Sequence, residues 1–158
     1  MSVTFPASRL HWGRPFAGAR AITTPLVPVG RALFAAIFLS AGPSHFSPGT
    51  IGYARAAGVP FASFLVPAAG VLAFLGGASV LVGWRARLGA LALIVFLVPV
   101  TLTMHAFWAG DPNTRPLQFA MFMKNLGLLG GALLIAHFGA GPYSLDARMA
   151  QRAADHAR

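Results

Sequence analysis

The 158-residue chain has no cysteine and no glutamate, a single lysine, and only three acidic side chains, Asp111, Asp146 and Asp155. Without cysteine there is no disulfide, no iron–sulfur ligation and no thiol nucleophile. With so few carboxylates, a paired-carboxylate hydrolytic mechanism or a carboxylate-bridged di-metal centre has nothing to be built from, and no metal site is expected. Charge is scarce as well: charged residues are 9% of the chain against 56% hydrophobic ones, with a mean hydropathy of +0.68. A chain of this length cannot hide so much apolar surface in one small globular core, so a lipid bilayer is the expected solvent.

Four apolar runs stand out, at 28–46, 61–83, 88–108 and 117–138. Each is near the roughly 20 residues that a helix needs to cross a hydrocarbon core. Strands of a transmembrane barrel would instead be about ten residues long with period-two alternation, which these runs lack. The expected fold is all-α, a four-helix transmembrane bundle occupying 27–139, with a basic leader at 1–26 and a basic tail at 140–158. The leader has arginines but no uninterrupted apolar stretch followed by a small-residue cleavage site, so the first span itself serves as the insertion signal.

Arg9, Arg14, Arg20 and Arg31 precede or open the first span, Arg85 and Arg87 join the second to the third, and Arg148, Arg152 and Arg158 follow the fourth. The other two links carry only Arg55 and Arg115. The positive-inside bias therefore predicts both termini in the cytoplasm, in a multi-pass protein of a bacterial inner membrane. The net charge of +9 reads as an address for anionic lipid and as a topology signal. No nucleic-acid partner is expected, because the arginines lie at the ends of apolar spans and form no soluble basic face.

Pro43, Pro67 and Pro99 should bend or end their helices locally. Ala73 and Gly77, and likewise Gly127 and Gly131, are four apart, a spacing that lets helix backbones approach closely. Between the first two spans, Thr50 to Gly58 predicts a short helix able to cap the bundle, stopped by Gly58 and Pro60. Asp111 to Pro116 is turn chemistry leading into the fourth span near residue 116. The tail predicts a second short helix from Ser144, with Arg148 and Arg152 one turn apart.

The only lysine, Lys124, lies beside Asn125 inside the last apolar run. Ionisable groups in spanning segments are expensive and usually face a bundle interior or cavity, which makes Lys124 a candidate functional residue. It is eight positions past Pro116, roughly 12 Å deep at 1.5 Å per residue, and the antiparallel third span reaches that depth near Thr101. Thr101, His105 and Trp108 would share one face of that span. His45 lies at the outer end of the first span. An outward polar pocket of His45, Thr101, His105, Lys124 and Asn125 is thus permitted, with Lys124, His105 and His45 as the catalytic candidates. The plainer alternatives are a snorkelling Lys124, an Asn125 that joins helices, and interfacial histidines at 45, 105 and 137. Trp84 and Trp108 read as belt residues, one at each surface.

The chain resembles the DoxX-like integral membrane proteins from about Arg31 to Asp146. The resemblance is carried by Phe38 to Gly42 with His45-Phe46, Gly58-Val59-Pro60, Leu75-Gly76-Gly77, His105 with Phe107, and above all Lys124-Asn125-Leu126 with Gly130-Gly131. It implies a four-helix membrane protein associated with membrane oxidoreductase assemblies, including quinone-linked thiosulfate oxidation and redox-stress complexes. Many members carry a glutamate three residues before the paired glycines of the second span, where this chain has Ala73.

Together these readings predict a membrane subunit of a quinone-linked or redox-stress oxidoreductase; they fix no cofactor, and quinone is the candidate. Lys124 and Asn125, with Thr101 and His105, would hydrogen-bond a quinone oxygen, and His105 or His45 would exchange protons. The alternatives are a non-catalytic scaffold or assembly partner, a b-type haem protein ligated by His45 and His105, and a small-solute transporter completed by homo-oligomerisation.

Overall fold

A computed structural model describes residues 25–109 and 111–157. The leader arginines Arg9, Arg14 and Arg20 lie outside the described residues. Six α-helices and one 3-10 turn follow in order: α1 Leu26–Ala41, the turn Gly42–Phe46, α2 Pro48–Ala56, α3 Ala62–Val82, α4 Ala86–Met104, α5 Arg115–Phe138 and α6 Leu145–His156. No strand occurs among the described residues. Four helices, α1 with its 3-10 extension, α3, α4 and α5, are long and apolar enough to cross a membrane. In lipid a helix satisfies its own backbone, so continuous apolar runs of this length fold as these helices do.

The spans alternate in direction. One end of the bundle gathers Arg31, Arg85, Arg87 and α6, and is called the basic end below. The far end holds α2 and the link between α4 and α5. Helix α3 packs against α1, α2 and α4, and α4 packs against α5. The core runs through Phe38 of α1, Ala73 and Val80 of α3, Ala90, Leu93, Phe96 and Leu97 of α4 and Ala132 of α5. The small residues of α3 do bring helices close. A Cβ on Gly76 would stand 2.9 Å from Leu93 and 3.0 Å from the Gly89 carbonyl, and one on Gly77 would stand 3.0 Å from Phe38. Helix α1 reaches α5 where Phe34 covers Gly131.

Local chemistry sets the helix ends. Pro43 lies in the 3-10 turn that ends α1, whereas Pro67 and Pro99 are carried inside continuous helices. Ser47 caps α2 by accepting from the Thr50 N–H at 3.2 Å, and Ser144 caps α6 by accepting from Ala147 at 3.1 Å. Helix α2 lies on the far end of the bundle, where Ala54, Ala62 and Val66 form a second small core with Ile51, Val59 and Met104.

At the basic end, α3 closes on Gly83, whose φ is +70°. Arg85 then enters α4 at φ +48°, a left-handed conformation that costs a non-glycine residue about 1–2 kcal/mol. Asp146 holds that turn in place. Its two carboxylate oxygens accept from the backbone N–H groups of Arg85 at 2.7 Å and Ala86 at 3.0 Å, and its own N–H donates to the Gly83 carbonyl at 2.9 Å. A carboxylate at a helix N-terminus also opposes the helix dipole favourably. The tail is therefore stitched to the link between α3 and α4.

Candidate functional site

At the far end, the chain turns out of α4 earlier than the apolar run suggests. Helix α4 stops at Met104, and His105 sits at its C-terminus with φ −122° and ψ 35°. Trp108 therefore does not share a helix face with Thr101 and His105, a correction with a visible cause. The link folds back over α5, and Phe107 packs edge-on against Trp108, Phe119 and Phe122 with ring centroids 5.0, 5.1 and 5.4 Å away. Asp111 completes the reversal by accepting from the Asn113 N–H at 2.8 Å.

Beside this aromatic cluster runs a polar chain. The half-buried His105 ring places Nδ1 2.9 Å from Oε1 of Gln118, in the first turns of α5. Gln118 Nε2 donates to the Tyr53 hydroxyl of α2 at 3.2 Å. Because the Gln118 amide nitrogen is committed to Tyr53, its oxygen is the acceptor towards His105. A neutral His105 then carries its proton on Nδ1 and presents a lone pair at Nε2.

The other candidate residues are distributed around this end. Thr101 is buried, one turn deeper in α4, and its hydroxyl donates to the Leu97 carbonyl at 2.6 Å. Asn125 is buried on α5 at 5% exposure. His45 is half-buried, with Nδ1 2.9 Å from the Ala41 carbonyl and its ring 5.7 Å from that of Phe96. Its Cβ lies against Gly70, where a methyl group would stand only 2.5 Å away. Lys124 is exposed on α5, between the exposed Met123 and the buried Asn125. The fold thus joins His105 to Gln118 and Tyr53, seats His45 separately against α3 and α4, and leaves Lys124 on the outer surface of the isolated chain. His137 is exposed at the end of α5, with its ring 4.7 Å from that of Phe138. Among the described residues, no group of three metal-ligating side chains comes together.

Gln118 and Tyr53 escape a sequence reading. Gln118 is the one amide at the mouth of the last apolar run, thirteen positions after His105 across a turn. That is a usable signal, but Tyr53 comes from a different link and only the fold supplies it.

Four apolar helices, a polar chain at one end and arginines at the other define a multi-pass integral membrane protein. Within that class, the chain belongs to the DoxX family, whose profile matches residues 26–106. It is 37% identical over 122 residues to inner membrane protein YqjF of Escherichia coli, covering 76% of this chain and 88% of that protein. Shorter similarities reach the ER-derived vesicles protein ERV29 of Saccharomyces cerevisiae, at 28% identity over 48% of this chain and 24% of that protein. A Surfeit locus protein 4 homolog of Drosophila melanogaster is 33% identical over 42% of this chain and 26% of that protein. No solved structure matches.

Proposed function

We propose that the chain is a non-autonomous membrane subunit of a quinone-linked oxidoreductase, seating a quinone ring at the far end of the bundle. The observation that carries this reading is the His105–Gln118–Tyr53 chain lying beside the Phe107 aromatic cluster. A quinone needs an apolar, ring-lined slot with a few placed polar groups. The aromatic rings offer an apolar face for the ligand ring, and His105 Nε2 offers an acceptor for a quinol hydroxyl proton. Gln118 fixes the imidazole and Tyr53 fixes Gln118, so the acceptor is oriented before the ligand arrives. Thr101, one turn inward of His105, and Asn125, two turns inward of Gln118, are the next polar groups along these helices, both buried.

Lys124 fits this reading through a partner. An ammonium facing lipid near the bilayer centre costs about 3 kcal/mol. The nearest equivalent of the family's span-two glutamate is Ala73, which is fully enclosed in the core, so this chain supplies no acid there. A second subunit, or a second copy of the chain, covering α5 would remove Lys124 from lipid and bring it a carboxylate or carbonyl. Quinone binding to the purified protein tests the site. His105→Ala and Gln118→Ala should each weaken it about tenfold, the worth of a hydrogen bond near 1.5 kcal/mol, while His137→Ala leaves it unchanged. Unchanged binding in both site variants ends the proposal.

The open face of α5 favours a second reading, in which partner binding is the whole function. A Cβ on Gly127 or Gly130 would meet nothing within 4 Å. Recovery of the chain from native membranes with a partner but without any bound quinone would select this reading.

A further inference from the structure

At the basic end, a groove of about 490 Å³ opens between the start of α4, the end of α5 and the first turn of α6. Arg85, Arg87, Ser144 and Asp146 make its polar part, and Leu88 and Phe138 its apolar part. The Arg85 guanidinium lies over the Trp84 ring, 5.2 Å from its centroid. Arg87 lies along Gly139, where its Nε would be 3.4 Å from an added Cβ. Asp146 is the one acid in the groove, and both of its oxygens are engaged by the Arg85 and Ala86 backbone N–H groups. Behind the Ser144 wall stands Arg31, 5% exposed, with Nη2 donating to the Tyr143 carbonyl at 2.8 Å and with Nε and Nη1 buried without partners. Two guanidinium groups in the groove, with a third buried behind it, thus stand against one carboxylate, and that carboxylate is already committed to the backbone.

The apolar part of the groove runs out onto the membrane-facing surface. Phe138 is 73% exposed and Leu88 59%, and one turn further into the span Leu91 and Leu134 are exposed as well. A small soluble anion would leave that wall uncovered, and a zwitterionic lipid would bring its own ammonium group up against the arginines together with its phosphate. We infer that the groove is a binding site for one anionic phospholipid, with its phosphate on Arg85 and Arg87 and its acyl chains along Leu88 and Phe138. Guanidinium groups suit phosphate through paired N–H donors. Their height at the end of two spanning helices matches that of a lipid headgroup. The one resident acid, Asp146, has its charge set against the two backbone N–H groups it accepts from, which leaves the groove's arginines to the phosphate.

Spin-labelled phosphatidylglycerol and phosphatidylcholine, compared for immobilisation on the full-length protein in mixed vesicles, test the site. A cation near a charged lipid surface favours anionic lipid by about fivefold, so the protein should prefer phosphatidylglycerol by about 25-fold through the two arginines. Arg85→Gln with Arg87→Gln should abolish most of that preference, and Arg85→Lys with Arg87→Lys should restore part of it. Arg148→Gln with Arg152→Gln removes the same charge from exposed α6, outside the groove, and should cost far less of the preference. Equal loss in both glutamine pairs would show a diffuse surface effect and overturn the site. So would an absent preference in the unaltered protein, or displacement of the lipid by millimolar inorganic phosphate. The glutamine variants keep the backbone groups that Asp146 holds, and an unchanged melting temperature confirms that the fold is intact.

Discussion

Gly83 shows how narrowly one position can be specified. Its φ of +70° lies where side chains are strained, and a Cβ there would run into Arg31 Nη1 and the Ser144 side chain. Both neighbours are fixed, Arg31 by the Tyr143 carbonyl and Ser144 by its cap on α6. Gly83→Ala should therefore destabilise the protein by about 2 kcal/mol or more, from backbone strain and overpacking together. Thermal melting in detergent should show it as a fall of several degrees. Gly52→Ala on α2, where nothing lies within 4 Å of the added methyl, serves as the control and should be neutral or slightly stabilising. The sequence announces Gly83 as a helix end but gives no sign of its neighbours. Arg31 reads there as a topology signal, whereas in the fold it is a buried donor to a residue 112 positions away. Asp146 is similar. As one of three acids it is conspicuous, yet its partners at Arg85 and Ala86 become visible only when the tail folds back.

The helices themselves were largely written in the apolar runs. The expected spans at 61–83 and 117–138 became α3 and α5 with no end shifted by more than two residues, because glycine and proline punctuate both boundaries. The short helix before Gly58 and the tail helix from Ser144 also formed, each with a serine cap that the sequence supplies. Where the reading overran, at α4, hydropathy was a poor guide. Phe107 and Trp108 are as apolar as the span before them but are used in a turn, packed on α5. The site followed the same rule. His105 and His45 were visible as polar residues near one end, while the Gln118–Tyr53 pairing depends on a contact between two links. Helix α5 carries the element-scale prediction. Gly127 and Gly130 lie on its open side between exposed Met123 and Leu134. Replacing both with leucine should not lower the melting temperature of the monomer, since nothing is displaced and two helix glycines are removed. The same change should dissociate any partner or second copy seated there, read as loss of the larger species in crosslinking from native membranes. A large fall in monomer stability would instead show that the face is already packed.

For the whole molecule, charge is distributed by end. Arg31, Arg85, Arg87, Arg148 and Arg152 lie at one end of the bundle and Arg55 and Arg115 at the other. Lysine and arginine in short links resist translocation, so the basic end should remain in the cytoplasm and the His105 end should face outward. That orientation would place the proposed quinone site at the outer leaflet and the lipid groove at the inner one, so both proposals depend on it for their biological setting. The absence of cysteine makes the test clean, because a single introduced thiol has no background. Asn113→Cys, in the turn before α5, should react with a membrane-impermeant maleimide in intact cells. Ala150→Cys, on exposed α6, should react only after the membrane is opened. Both sites are solvent-exposed in the fold, so accessibility is set by the side of the membrane and not by burial. The reverse pattern would invert the bundle. Equal labelling of both sites in intact cells would mean that the arginines do not fix a single topology.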